Sequence, residues 1–133
     1  MRILALDYGA ARIGCALSDR SGTLATPISS VPSGEPEALA ALADELGAER
    51  IVIGLPITLD GSEGAQASET RSFGDRLAEL TSVPIEYYDE RFTTRMATRT
   101  RRESGASSDE DSIAAAHLLE AYLQAAEASG GTA

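Results

Sequence analysis

Ile3-Leu4-Ala5-Leu6-Asp7-Tyr8-Gly9-Ala10-Ala11-Arg12-Ile13-Gly14-Cys15-Ala16-Leu17 opens the chain and decides its fold class. Ile3 to Leu6 is a continuous apolar run closed by an acid, the pattern of a strand covered on both faces. Gly9-Ala10-Ala11 reads as a tight turn and Ile13 to Leu17 as a second strand, so the segment is a hairpin. A third strand is expected from Thr23 to Val31, where Pro27 pushes it to a sheet edge because proline cannot donate to a ladder. Beyond a loop marked by Pro32, Gly34 and Pro36, the pattern changes period. Leu39, Leu42 and Leu46 fall at helical spacing over Glu37 to Leu46, and Gly47 stops that helix. Ile51-Val52-Ile53 is another buried strand. A polar loop from Ile57 to Gly64 precedes a helix from about Gln66 to Leu80, and Pro84 to Tyr88 is the fifth strand. Thr93 or Thr94 caps a short arginine-rich helix ending by Gly105, and the last helix spans about Asp109 to Glu127. A meander followed by alternating helices and strands indicates an α/β protein with a mixed sheet.

The chain has 133 residues, one domain's worth at roughly 100–200 residues per domain. Residues 1–128 are therefore expected to form a single domain and 129–133 a frayed tail. No stretch reaches the roughly 20 apolar residues of a membrane span, and an acid at position 7 comes too early for a signal-peptide core. Cys15 is the only cysteine, so no disulfide framework exists and a reducing cytoplasm is expected. All eleven bases are arginine, against 21 acids, for a net charge of −10. Such a field repels nucleic acid as a whole. Yet Arg91, Arg95, Arg99, Arg101 and Arg102 crowd into twelve residues without an acid, so that segment carries +5 and the remainder −15. The asymmetry fits either a local anion site or an ordinary solvated helix face.

Three places offer carboxylates for chemistry. Asp7 and the pair Asp89-Glu90 end strands, where open α/β sheets place their ligands, although an aspartate there can equally cap a turn. Alternation sends Asp89 and Glu90 to opposite faces, so only one of them meets Asp7. Asp111 shares a helical stripe with Ala115, Leu118, Leu119 and Tyr122, which points it at the sheet. A capping box Ser108-x-x-Asp111 explains the same residue without chemistry. Asp109 and Glu110 fall off the stripe. Hard oxygen ligands of this kind suit Mg²⁺ or Mn²⁺, and two such ions can drive phosphodiester cleavage. The lone His117 offers no zinc site, and a chain without lysine cannot carry a Walker-type loop.

Leu6-Asp7-Tyr8-Gly9, Arg12-Ile13-Gly14 and Ser18-Asp19 resemble the first motif of the YqgF/RuvX family. Gly54-Leu55-Pro56 with Asp60-Gly61 is similar to its second. Asp89-Glu90-Arg91-Phe92-Thr93-Thr94 resembles its third, and Asp111-Ser112-Ile113-Ala114-Ala115 with Tyr122-Leu123 its fourth. Four motifs in order span nearly the whole chain. The family comprises nucleases described as acting on pre-16S rRNA and as Holliday-junction resolvase-like. The resemblance implies an RNase H-like fold with five strands in the order 3-2-1-4-5, and Asp7, Glu90 and Asp111 as catalytic and metal-binding acids. Two departures remove positive charge from the substrate side. Ala11 stands where the family usually has lysine, and the run Glu103 to Glu110 is acidic where the family is often basic.

The expected function is thus divalent-metal-dependent phosphodiester hydrolysis in structured RNA, with pre-16S 5′-end processing first, or in branched DNA. Aromatic residues make up only 5% of the chain, which disfavours a base-stacking platform. Phosphate contacts by Arg12, Arg91, Arg95, Arg99 and Arg102 would carry recognition. An actin-like ATPase or sugar kinase shares the first hairpin, but needs two such domains. A non-catalytic nucleic-acid or ribosome-assembly module is the reading from another class. Whether the chain works as a homodimer is left open by the sequence.

Overall fold

The computed structural model describes residues 1–93 and 108–128. The expected arginine-rich helix after Thr93, with Arg95, Arg99, Arg101 and Arg102, and the tail 129–133 lie outside the described residues.

Strands β1 (Ile3–Tyr8), β2 (Arg12–Ser18) and β3 (Ala25–Pro32) form the antiparallel meander. Helix α1 (Pro36–Glu45) leads to β4 (Arg50–Leu55), which pairs in parallel with β1. Helix α2 (Ala65–Leu80) then leads to β5 (Ile85–Asp89), parallel to β4, and a 3-10 turn covers Glu90–Phe92. Helix α3 (Ser108–Ala128) closes the chain. The sheet order is β3-β2-β1-β4-β5, as the motif resemblance implies. Pro27 sits on β3, an edge strand, where its missing N–H costs no ladder bond. Helix α1 stops at Gly47, whose φ of +66° lets its N–H reach Asp44 and that of Ala48 reach Ala43. This is the Schellman closure that glycine permits without a Cβ clash.

Alternation along the strands divides the core in two. Leu4, Leu6, Ile13, Cys15, Ile51 and Ile53 face α1 and α2, meeting Leu39, Ala43, Phe73 and Leu77. Ile3, Ala5, Ala16 and Val52 face α3, meeting Ala115, Leu118, Leu119 and Tyr122. The small residues Ala5, Ala16 and Gly14 on the second face let α3 seat close to the sheet. A Cβ on Gly14 would lie 2.0 Å from the backbone oxygen of Asp111, a distance no side chain tolerates. Farther along α3, the Tyr122 hydroxyl bridges two strands, accepting from Arg50 at 2.7 Å and donating to Glu86 at 2.8 Å. The helix is therefore held at its start by backbone contact and near its end by a side-chain bridge.

Candidate metal centre

Strand β1 runs two residues beyond the apolar run, so Asp7 lies inside it, paired with Gly14 of β2. Its side chain points to the α3 face, in step with Ile3 and Ala5, and the residue is only 6% exposed. Glu90 follows β5 in the 3-10 turn. Its carboxylate sits over Gly54 of β4, where a Cβ would come within 2.8 Å of Oε1 and 3.1 Å of Cγ. The glycine at position 54 thus makes the space that Glu90 occupies. Asp7 and Glu90 line one pocket at the ends of the parallel strands, with Tyr8, Gly9, Ala10, Pro56, Gln66, Glu69 and Thr70.

Glu69 is the acid that sequence reading missed. It lies on the second turn of α2, beside the buried Thr70, whose hydroxyl donates to the Gln66 carbonyl at 2.8 Å. The one available signal was the spacing of Gln66 and Glu69 on the first helical turns after the Pro56 loop. An exposed glutamate on an amphipathic helix carries no mark of its own.

Asp89 does not line this pocket. It accepts from the backbone N–H of Arg91 at 2.9 Å and from its guanidinium at 2.6–3.1 Å. That fork holds its carboxyl below the usual aspartate range. Arg91, expected as a phosphate contact, is engaged with Asp89 in this structure.

Asp111 stands differently from the other two acids. Its stripe of Ala115, Leu118, Leu119 and Tyr122 is buried against the sheet as expected. The neighbouring Ser112 hydroxyl accepts the Cys15 N–H at 3.4 Å, beside the register shift of β2 between Ile13 and Cys15. The Asp111 carboxylate, however, does not line the pocket. It accepts from Arg12 Nε at 3.1 Å, with side-chain exposures of 38% for Arg12 and 13% for Asp111. Among the described residues, no three His, Cys, Asp or Glu side chains are grouped so as to hold a metal ion. The structure brings Asp7 and Glu90 together and sets Asp111 aside on Arg12.

Other motif residues build scaffold. Ser18 Oγ accepts the Ile3 N–H at 2.7 Å and donates to the Met1 carbonyl. Asp19 closes the β2–β3 turn by accepting from the N–H groups of Thr23 and Leu24, which lowers its pKa. Asp60 gathers the Thr58 hydroxyl and the Ser62 N–H and hydroxyl, which push its pKa down to about 2. Burial pushes the Cys15 thiol up to about 12, so it stays protonated and unreactive. No helix among the described residues is long and apolar enough to cross a membrane.

Comparison with known proteins agrees with this architecture. Residues 1–125 match the family model described as "RuvX: Holliday junction resolvase". Relatives from Paramagnetospirillum magneticum and an Anaeromyxobacter species are each named "Putative pre-16S rRNA nuclease". They are 40% and 43% identical to this chain, covering 92% of it in both cases and 84% and 96% of their own lengths. Among solved structures, Thermus thermophilus RuvC in complex with a Holliday junction substrate superposes with a TM-score of 0.60 at 17% identity, over 100% of this chain and 98% of that one. The fowlpox virus Holliday junction resolvase gives 0.53 at 11%, over 94% and 99%. These two likenesses bear on the fold, which is RNase H-like. With the family model matched over 125 of its residues, the chain belongs to the RuvX family and is a hydrolase of the nuclease class.

Proposed function

We propose that this chain cleaves phosphodiester bonds in structured nucleic acid, with Mg²⁺ or Mn²⁺ as cofactor, and that its substrate is the 5′ region of pre-16S rRNA in the cytoplasm. Residues 1–128 would act as one domain. The observation that carries the reading is the shared pocket of Asp7 and Glu90 at the ends of the parallel strands, the place where open α/β sheets bind ligands. Oxygen donors alone, without histidine or cysteine, fit a hard divalent cation. Asp7 and Glu90 would hold it, with Asp111 joining them once its carboxylate leaves Arg12. A bound cation of this type supplies an activated water and charge stabilisation at the leaving oxygen. The chain's own contribution is to fix two carboxylates on rigid elements. Asp7 is locked in a central strand, and Glu90 is held in the gap above Gly54. Arg12 and the Arg91–Arg102 segment would meet the phosphates.

The test is cleavage by purified protein, with and without Mn²⁺ or Mg²⁺, on a pre-16S rRNA fragment and on a four-way DNA junction. Asp7→Asn, Glu90→Gln and Asp111→Asn are run beside the wild type. Metal-dependent cutting of the rRNA fragment that each variant loses is the expected result. Preference for the junction moves the substrate to branched DNA. Cleavage without metal, or full activity in Asp7→Asn, removes the mechanism, and metal-dependent binding without cleavage favours a non-catalytic module.

A further inference from the structure

The Asp111 backbone rests on the strand next to that of Asp7, and yet the residue does not line the pocket. Its backbone carbonyl abuts Gly14, and Gly14 is the β2 partner of Asp7, so the two acids flank one ladder position on the same sheet face. Neighbouring strands are only about 4.8 Å apart. The backbone contact and the Ser112 bond to Cys15 fix where Asp111 starts, which leaves rotation of its side chain as the free variable. Arg12 decides that rotation. It is the only base between Ile3 and Asp19, it follows the Gly9-Ala10 turn that lines the pocket, and its Nε holds Asp111 Oδ2 at 3.1 Å.

From this arrangement we infer that Arg12 is a positioning residue that keeps Asp111 out of the metal centre until substrate arrives, and then exchanges the carboxylate for a substrate phosphate. The inference rests on the nuclease reading above. A guanidinium is permanently charged and presents the same donor fork to carboxylate and to phosphate. While it sits on Asp111, the carboxylate is neutralised and a dication beside it is repelled. A phosphate backbone lying across the pocket offers Arg12 a second acceptor. Once Arg12 moves to it, Asp111 is released toward Asp7 and Glu90. The guanidinium remains beside the scissile region throughout, so its charge is transferred rather than lost. Metal and substrate binding are thereby coupled, each favouring the other. Free protein would hold a divalent cation weakly and substrate-bound protein tightly, which limits unproductive metal loading.

Mn²⁺ titration of the substrate-free protein, followed by the loss of the free-ion paramagnetic resonance signal, reads the latch without requiring turnover. Arg12→Ala should bind Mn²⁺ about fivefold more tightly than wild type, the upper range for an exposed ion pair. Arg12→Lys keeps the charge and should stay near wild type. The second readout is binding of a labelled DNA duplex by fluorescence anisotropy. In EDTA the wild-type log–log salt slope should exceed that of Arg12→Ala by less than half a phosphate contact, about 0.4, because Asp111 competes with the bound phosphate for Arg12 when no cation draws the carboxylate away. In Ca²⁺ the wild type should gain about 0.9 of slope over the variant, one phosphate contact on duplex DNA. Equal or weaker Mn²⁺ binding by Arg12→Ala overturns the latch. Asp7→Asn separates the two levels of the argument. If it abolishes Mn²⁺ binding while Arg12→Ala changes nothing, only the latch fails. If Asp7→Asn binds Mn²⁺ as wild type does, the metal centre itself is misplaced and the latch falls with it.

Discussion

Replacing Gly14 with alanine tests the close seating of α3 that brings Asp111 to the sheet. The added methyl would lie 2.0 Å from the Asp111 carbonyl oxygen and 2.4 Å from its carbon. Both are backbone atoms, so no side-chain rotation relieves the overlap and the helix must lift. Overpacking a well-filled site costs about 1–3 kcal/mol. Lifting the helix also breaks the Ser112 bond to the Cys15 N–H, a further loss of about 1 kcal/mol. The total is about 3 kcal/mol. At an unfolding entropy of about 2.1 cal/mol/K per residue, 133 residues convert each kcal/mol to a Tm change of about 3.6 °C. Gly14→Ala should therefore melt about 10 °C below wild type when followed by circular dichroism. Gly34→Ala is the control, since nothing lies within 4 Å of its added Cβ, and its Tm should stay within about 2 °C. A Gly14→Ala protein melting within 3 °C of wild type would refute the reasoning, because α3 would then slide at no cost.

Gly54→Ala should act on chemistry more than on stability. Its nearest obstacle is the flexible carboxylate of Glu90 at 2.8 Å, so Tm should fall by less than about 4 °C while metal-dependent cleavage drops at least tenfold; unchanged cleavage would mean that Glu90 is not held where the reaction needs it. Asp60 provides a pH signature. Its folded pKa of about 2 lies below the ordinary aspartate value, so its contribution is complete above about pH 4 and fades as pH falls through the folded value. Asp60→Asn should accordingly flatten the acid limb of the Tm–pH curve, and an unaltered limb would contradict this. Changing Arg95 and Arg99 together to alanine should weaken binding to every duplex tested and reduce the log–log salt slope by about 1.8, at 0.9 per phosphate contact. Identical slopes would leave these arginines as surface-pair residues.

Of the three acids, Asp7 and Glu90 line one pocket in the structure and Asp111 does not. Asp7 follows a doubly buried run, so strand periodicity gives its face, whereas alternation says only that one of Asp89 and Glu90 meets it, and the motif resemblance is what selects Glu90. The stripe that Asp111 shares with Ala115, Leu118, Leu119 and Tyr122 is buried at those four positions, as 3.6-residue spacing predicts. The surroundings of Asp111 were not legible. Three close carboxylates without metal would be expected to repel one another, yet Asp111 is neutralised by Arg12 across 99 positions of chain. Nothing local in the sequence connects Arg12 to an acid 99 positions away.

The amino-acid sequence by itself determined the element order, the mixed sheet, the edge position of β3 and the faces that Asp7, Glu90 and Asp111 present. Each of these depends on periodicity, on turn chemistry or on motifs contiguous in the chain. Tertiary structure alone decided that Glu69 reaches the pocket from α2 and that Arg12 takes Asp111. The Arg12–Asp111 pairing depends on how closely α3 approaches the sheet. That distance is set by Gly14, Gly54, Ala5 and Ala16 acting together across strands, a sum over remote contacts that no local window contains.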